Sequence, residues 1–456
     1  MIRFIYVSQA TQLFWRAVQT PLTRRMATSS IIRLYASQQP VLYISGISGA
    51  TARATSELLQ ENHDKHHVFF NNAGFHNHIA HHLLSLFALN ATPAELRQGW
   101  EDNISYQRPL SPTNRLKVTD ATYREHLGDS DYYTAYLTFF KTEIDQKSCE
   151  EVLNEYVFKA DEQADDMLVR MFSGILHPII HLGFGIEFEQ PAIIAEALAQ
   201  AAVHSPQEAA HLLESEAEAR KHSAEGGSDR RIVHLLDDIF AEKGLGGTAK
   251  YARQVHVTAN TLEEKTAEMI NACAYFTGAA QQPPYEVKFD FFNIHALNLS
   301  IFFSSFLHQP WLSAATKIRL LEWKIRIDLS MYASPRPPQL HLHEITSYPN
   351  NASWGNIVAR VKAYHDDGHA CKLIRALANG ERACKKYEHK EEFIIKGDMW
   401  RKLANMAIDS VEAGPPDYVR SQAWASVPLR NRPCKRVVRM YEDALEKVAL
   451  LWGVPH

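Results

Sequence analysis

Cysteine pairs, nucleotide loops and membrane spans are all missing from this chain. Its five cysteines (Cys149, Cys273, Cys371, Cys384 and Cys434) are odd in number, scattered and never spaced C-x-x-C. That excludes a disulfide framework, a zinc ribbon and a cysteine-held iron–sulfur cluster, and fits a reducing compartment. No apolar run reaches the roughly 18 residues of a spanning helix, so no membrane partner is expected. The net charge of −4 leaves no basic excess to neutralise phosphates, which argues against nucleic acid as the main partner. GISGAT (46–51) and GLGGTAK (244–250) are the only glycine-rich runs with any likeness to nucleotide loops. Neither follows a strand with an acidic ribose ligand downstream, and neither fits the P-loop. G-x-S-x-G and H-E-x-x-H are absent as well. An oxidative enzyme built on this chain would carry no Rossmann-bound flavin, and its chemistry would fall to a metal or to the substrate itself.

Acidic residues are also absent from positions 1–56, where Arg3, Arg16, Arg24, Arg25, Arg33 and Arg53 punctuate a hydroxyl-rich stretch. Such a start reads as a mitochondrial transit peptide, as a disordered leader, or as a chain start placed too far upstream with Met26 as the true initiator. Residues 1–36 are therefore set apart from the fold, which is expected over 37–456. The location is cytoplasmic, or mitochondrial if the leader is a genuine address.

What is present reads as helix after helix. Thr92-Pro-Ala-Glu95, Ser148-Cys-Glu-Glu151, Ser205-Pro-Gln-Glu208 and Thr261-Leu-Glu-Glu264 have capping-box spacing. Pro93 and Pro206 take the first helical position, where a missing N–H costs nothing. AIIAEALAQAAVH, KIRLLEWKIRIDLSMY and RVVRMYEDALEKVALLW have helical periodicity. VLYISGIS (41–48) is the best strand candidate. Gly and Pro clusters at 222–229, 243–248, 279–285 and 333–339 are too short for interdomain linkers. The expectation is one large all-α, multi-helix domain with a metal and substrate cavity between helices.

Histidines carry the chemistry. His78/His82, His177/His181 and His365/His369 are each four residues apart in apolar sequence, and His295 follows an aromatic run. Four residues is just over one helical turn, so each pair shares a helix face. Neutral imidazole is the commonest ligand of borderline metals. With 23 histidines, roughly one such pair arises by chance, and His63/His67 in a polar stretch is read as that background. The competing reading of all these residues is ordinary buried or capping histidines. Pro178 should disturb its helix. His181 is then the better ligand of its pair, while His177, biased away from helical geometry, caps or contacts substrate. Lys372, one turn after His369, is either a surface lysine or a buried one; carboxylated by CO2, a buried one would become an oxygen ligand.

FFNNAGFHNHIAHHLLSLFALNATP, YQRP, HPIIHLGFGIEFEQPAIIAEALAQAAVH, FDFFNIH and HDDGHACKLIRAL together closely resemble the questin oxidase-like family, from about residue 40 to WRKLANMAIDSV and beyond. The resemblance implies an all-α oxidoreductase of secondary metabolism, an O2-dependent Baeyer–Villiger-type mono- or dioxygenase that opens the ring of an anthraquinone-type polyketide. It implies non-haem Fe(II) held by four histidines and a carboxylated lysine. Carried over, the ligands are His78, His181, His295, His369 and Lys372, with Lys385 or Lys386 as alternatives for the lysine. His82 and His177 stand in reserve as ligands and are the catalytic candidates. Phe75, Phe184, Phe291 and Phe292 wall the substrate, and NADPH or a partner reductase supplies electrons. The rival readings are a metal-dependent hydrolase, on the strength of His365-Asp366-Asp367, and a non-catalytic binder of aromatic metabolites.

Overall fold

The computed structural model describes residues 26–430 apart from 112–115, 207–208, 227–228, 245–246, 335 and 421–426. The helices that build the core are α1 (Gly49–Lys65), α2 (Ile79–Ala88), α3 (Pro93–Ile104), α4 (Tyr133–Gln146), α5 (His177–Glu187) and α6 (Pro191–Val203). The second half adds α7 (Leu262–Ala279), α8 (Phe291–Leu307), α9 (Ala314–Ala333), α10 (His369–Cys384) and α11 (Met399–Glu412). Among the described residues the only strands are two-residue pieces, Phe289–Asp290 and Tyr418–Val419, paired in parallel. The chain is all-α and a single domain, and one continuous apolar core runs from Ile32 to Tyr418. None of its described helices is long and apolar enough to cross a membrane.

Local chemistry explains most helix starts. Thr92 accepts from the Glu95 N–H while the Glu95 carboxylate accepts from the Thr92 N–H, with Pro93 in the first turn. Ser148 likewise accepts from the Glu151 N–H. Thr261 departs from expectation: its hydroxyl bonds to Thr258, and α7 starts without a side-chain cap. The Ser205 box and the helix expected at 436–452 involve residues outside the described set.

The strand expected at 41–48 is not formed. Its backbone is claimed by side chains instead. Arg375 donates to the Leu42 carbonyl from Nε (3.1 Å) and Nη2 (3.0 Å), and the Val41 N–H donates to Glu187 Oε1 at 2.8 Å. The segment lies over α2, where the Ile44 N–H reaches the Ala88 carbonyl. Of residues 1–36, the described part (26–36) packs on the domain: Ile32 and Leu34 are buried, and the Ser29 hydroxyl donates to Asp145.

α2, α5, α8 and α10 pack on one another. Glycines permit the closest approaches. A Cβ on Gly183 would sit 2.3 Å from the Phe302 ring, and one on Gly368 would sit 2.6 Å from His82 Cβ. These contacts bring the starts of the four helices to one place.

Candidate metal centre

Each of those four helices delivers one histidine. His78 is the N-cap of α2, His177 and His369 are the first residues of α5 and α10, and His295 lies in the second turn of α8. All four rings are buried. His78 Nε2 lies 2.8 Å from His177 Nε2, and His369 Nε2 lies 3.2 Å from His295 Nε2. His78, His177 and His369 can each offer a nitrogen within 4.8 Å of the others'.

The far side of each ring fixes its tautomer. His177 Nδ1 donates to the Gly174 carbonyl at 2.7 Å, and His295 Nδ1 donates to the Phe291 carbonyl at 2.6 Å. His78 Nδ1 donates to Asp367 Oδ2 at 2.8 Å, and His369 Nδ1 donates to Asp367 Oδ1. Burial alone would raise the Asp367 pKa, but His369 and His78 hold it well below the ordinary carboxylate value. It is therefore an acceptor for both rings. With every Nδ1 protonated, all four Nε2 atoms are bare lone pairs, and no hydrogen can bridge the 2.8 and 3.2 Å gaps. Burial keeps the rings neutral, with His78 pushed down to about 3 and His177, His295 and His369 also lowered. His78, His177 and His369 bring their nitrogens together, and His295 adds one beside that of His369, a donor set of the kind a cation takes. For ligands about 2.1 Å from a metal, neighbouring nitrogens stand about 3.0 Å apart in octahedral and about 3.4 Å apart in tetrahedral coordination, so the 2.8 and 3.2 Å gaps fit a metal ion after a small spreading of the rings.

The turn that aims His177 is strained. Gly174, Ile175 and Leu176 have φ of +55°, +53° and +66°, three consecutive left-handed residues. Each non-glycine there costs about 1–2 kcal/mol. Pro178 does not kink a helix interior; it sits in the first turn, where proline is compatible with the helix. At α10, Asp366 accepts from the Gly368 and Ala370 N–H groups, and Gly368 turns at φ +92°. Asp366 and Asp367 are thus taken up in holding the turn and the imidazoles, which leaves no free carboxylate for a hydrolase of the kind His365-Asp366-Asp367 suggested. His365 is exposed and pairs with Asp102.

His181 lies elsewhere: its Nε2 is 2.7 Å from Glu196 and its Nδ1 is 3.1 Å from His81. His82 packs under Gly368 and Gly99, and its Nδ1 accepts from Asn103. Lys372 is buried beside the centre; its Nζ makes no hydrogen bond or ion pair among the described residues, and burial lowers its pKa. Lys385 and Lys386 are exposed and paired with Glu388 and Glu263.

Phe291 flanks the His295 and His369 rings at 4.6 and 5.2 Å. Phe75 stacks on Phe70, whose edge meets Tyr106. Phe184 is core, against His81 and Phe302, and Phe292 lies under the Arg420 guanidinium. Behind Lys372, Ser85, Phe184, Asn298, Phe302 and Arg375 pack together with no room for a ligand. Sequence reasoning named Asp367 only within a hydrolase motif and not as the acceptor for His78 and His369, and it missed His76, which stacks on His177 at 3.8 Å and pairs with His204. It also set aside His63, which is buried against Glu196. A helix face that buries Leu59, Asn62 and His63 together was the available signal.

A sequence model described as questin oxidase-like matches residues 75–377. Baeyer-Villiger oxidase mdpL of Emericella nidulans is 40% identical over 405 residues, covering 81% of this chain and 90% of that protein. Questin oxidase of Aspergillus terreus is 37% identical over 424 residues, covering 86% and 94%. Oxidoreductase AflY of Aspergillus parasiticus is 38% identical over 430 residues, covering 86% of each.

Proposed function

The chain belongs to the questin oxidase-like family and is an oxidoreductase, and from that premise we propose that it is an O2-dependent, non-haem iron oxygenase that opens an anthraquinone-type ring by Baeyer–Villiger-type oxidation. The observation that carries the metal reading is the close approach of two pairs of bare Nε2 atoms, His78 with His177 and His369 with His295, with no hydrogen to share. His78, His177, His295 and His369 would hold the ion, with His177 taking the place first expected of His181. Lys372 completes the set once carboxylated by CO2; its lowered pKa favours the neutral amine that this reaction needs. Bound there, Fe(II) would supply O2 activation and Lewis acidity.

The protein's own part is positioning and exclusion. Asp367 and the Gly174 and Phe291 carbonyls lock the four rings in the ligating tautomer. Phe291 offers a flat face beside His295 and His369 on which a polycycle stacks. Three of the four ligands sit at helix starts, whose partial positive charge favours a substrate oxygen as it becomes anionic. No loop of the chain is assigned to NADPH, so reducing equivalents come from NADPH acting through a partner reductase or from a substrate already reduced to its hydroquinone.

Elemental analysis of protein purified without an affinity tag tests this reading. Near-stoichiometric iron, with O2 uptake on adding a reduced anthraquinone, is the expected result. Zinc or manganese alone, or O2 uptake that persists in demonstrably metal-free protein, would sink it.

A further inference from the structure

Away from the histidines, one cluster of reactive side chains is buried with no part in the site. Cys273 on α7 meets Lys324 and Asp328 on α9 where these two helices pack. All three are buried, and the Lys324 side chain is 0 % exposed. Lys324 Nζ lies 3.4 Å from Cys273 Sγ, and both groups donate to one oxygen, Asp328 Oδ2, the thiol at 3.1 Å. Asp328 Oδ1 is buried and has no hydrogen-bond partner.

Stability does not account for this arrangement. Taking an ammonium and a carboxylate out of water is repaid only when further hydrogen bonds satisfy their remaining donors and lone pairs. Here a lysine with three donors reaches one carboxylate oxygen and one sulfur, while the second oxygen goes unused. What the cluster does supply is a sulfur and a nitrogen held in contact, with a base beside both. Burial pushes the Cys273 thiol well above its ordinary value and also raises the Asp328 carboxyl. Loss of the thiol proton to water is thereby closed, but its passage to Asp328 Oδ2 leaves the net charge of the cluster unchanged. Thiol, ammonium and carboxylate become thiolate, ammonium and carboxylic acid. A thiolate against a positive charge is the form in which cysteine is oxidised.

We propose that Cys273 and Lys324 form an oxidative cross-linking site, joined by O2 through one oxygen atom as Sγ–O–Nζ. One S–H bond, two N–H bonds and the O–O bond break. An S–O and an O–N bond form, the second oxygen leaves as water, and the remaining ammonium proton rests on Asp328. A thiol, an ammonium, a carboxylate and O2 thus become the bridge, a carboxylic acid and one water. Sulfur and nitrogen lose two electrons each, and O2 takes up all four.

The bridging atom joins two atoms already in contact and draws them together, so it needs no cavity. O2 is small and apolar and reaches buried positions through local openings of the packing. A direct S–N bond would have to close the 3.4 Å gap to a single bond length, a larger displacement of two packed helices. The bridge ties α7 to α9. Because α7 also packs on α8 and α10, the tie braces the helices that carry His295 and His369. The inference is independent of the oxygenase reading, since dissolved O2 is its only reagent.

Mass spectrometry of the full chain, purified anaerobically with dithiothreitol and then exposed to O2, tests it. The oxidised chain should gain one oxygen and lose two hydrogens, and dithiothreitol should reverse the change. A tryptic digest should show the peptide holding Cys273 joined to the one holding Lys324, with no cleavage after Lys324. Cys273→Ala and Lys324→Met should each abolish the join, and the wild-type digest decides alone if neither variant folds. Cys273 still open to alkylation, with Lys324 still cleaved, after O2 exposure overturns the proposal. Cys273 carried to a sulfinic or sulfonic acid with Lys324 unjoined overturns it as well, and so does a join that lacks the oxygen. The oxidised protein should melt above the reduced one, and equal melting temperatures would overturn the bracing role.

Discussion

Which of two histidines four residues apart points at the centre is decided by single hydrogen bonds. His177 donates a hydrogen bond from Nδ1 to the Gly174 carbonyl, leaving Nε2 free for a metal, whereas His181 has both nitrogens engaged by Glu196 and His81. His177→Ala should therefore empty the site by elemental analysis, while His181→Ala should keep its ion. Equal loss from both variants would return His181 to the ligand set. Asp367→Asn keeps the size of the side chain but offers one acceptor where two protons need one. Metal affinity should fall about 10–100-fold, read by competition with a chelator. The sequence favoured His181 of the 177/181 pair, whereas the structure sets His177 beside His78 and His369, because Pro178 was weighed as a break inside a helix. A proline in the first helical turn marks a start, and starts are where His78, His177 and His369 sit.

At the scale of elements, the centre depends on turns and caps as much as on the helices they begin. Asp290 caps α8, accepting from the Phe292 and Asn293 N–H groups, and so sets the angle at which His295 enters. Gly368 combines a left-handed φ with contact against His82. Gly368→Ala should cost about 1–3 kcal/mol from strain and overpacking. The loss should appear as a lower Tm together with lost metal, since the same turn aims His369. A drop in Tm with full metal content would show the turn to be dispensable for the site. Helical periodicity and capping boxes made α3 and α6 legible in advance. The 41–48 segment was not legible, since alternation predicts a strand only where a neighbouring strand can share its hydrogen bonds. Arg375 and Glu187, far away in sequence, take those groups instead.

For the whole molecule, the proposed ligands span positions 78 to 369, so the histidine cluster forms only when the domain is complete. Its burial also sets the pH range of the fold. Burial lowers His67 and His82 to about 4 and His204 to about 3, against about 6.5 in an unfolded chain. Their contribution to stability is present in full above pH 6.5 and is lost as pH falls from there toward 4, because only the unfolded state takes up the protons. Each contributes about 1.4 kcal/mol per pH unit in that window, so three remove about 4 kcal/mol per unit from a total of about 5–15. Acid unfolding followed by circular dichroism should have its midpoint near pH 5 and a slope of at least three protons; a midpoint below pH 4 would contradict this account.

The depth of the four rings, none more than 6% exposed, has a further consequence in time. An ion bound there as proposed would have no direct route to bulk water, so its residence would be governed by how often α2, α5, α8 and α10 part rather than by the strength of its bonds. The centre would then work as a clock for the opening of the helices around it, and the rate at which a chelator strips the ion would measure the lifetime of their closed packing.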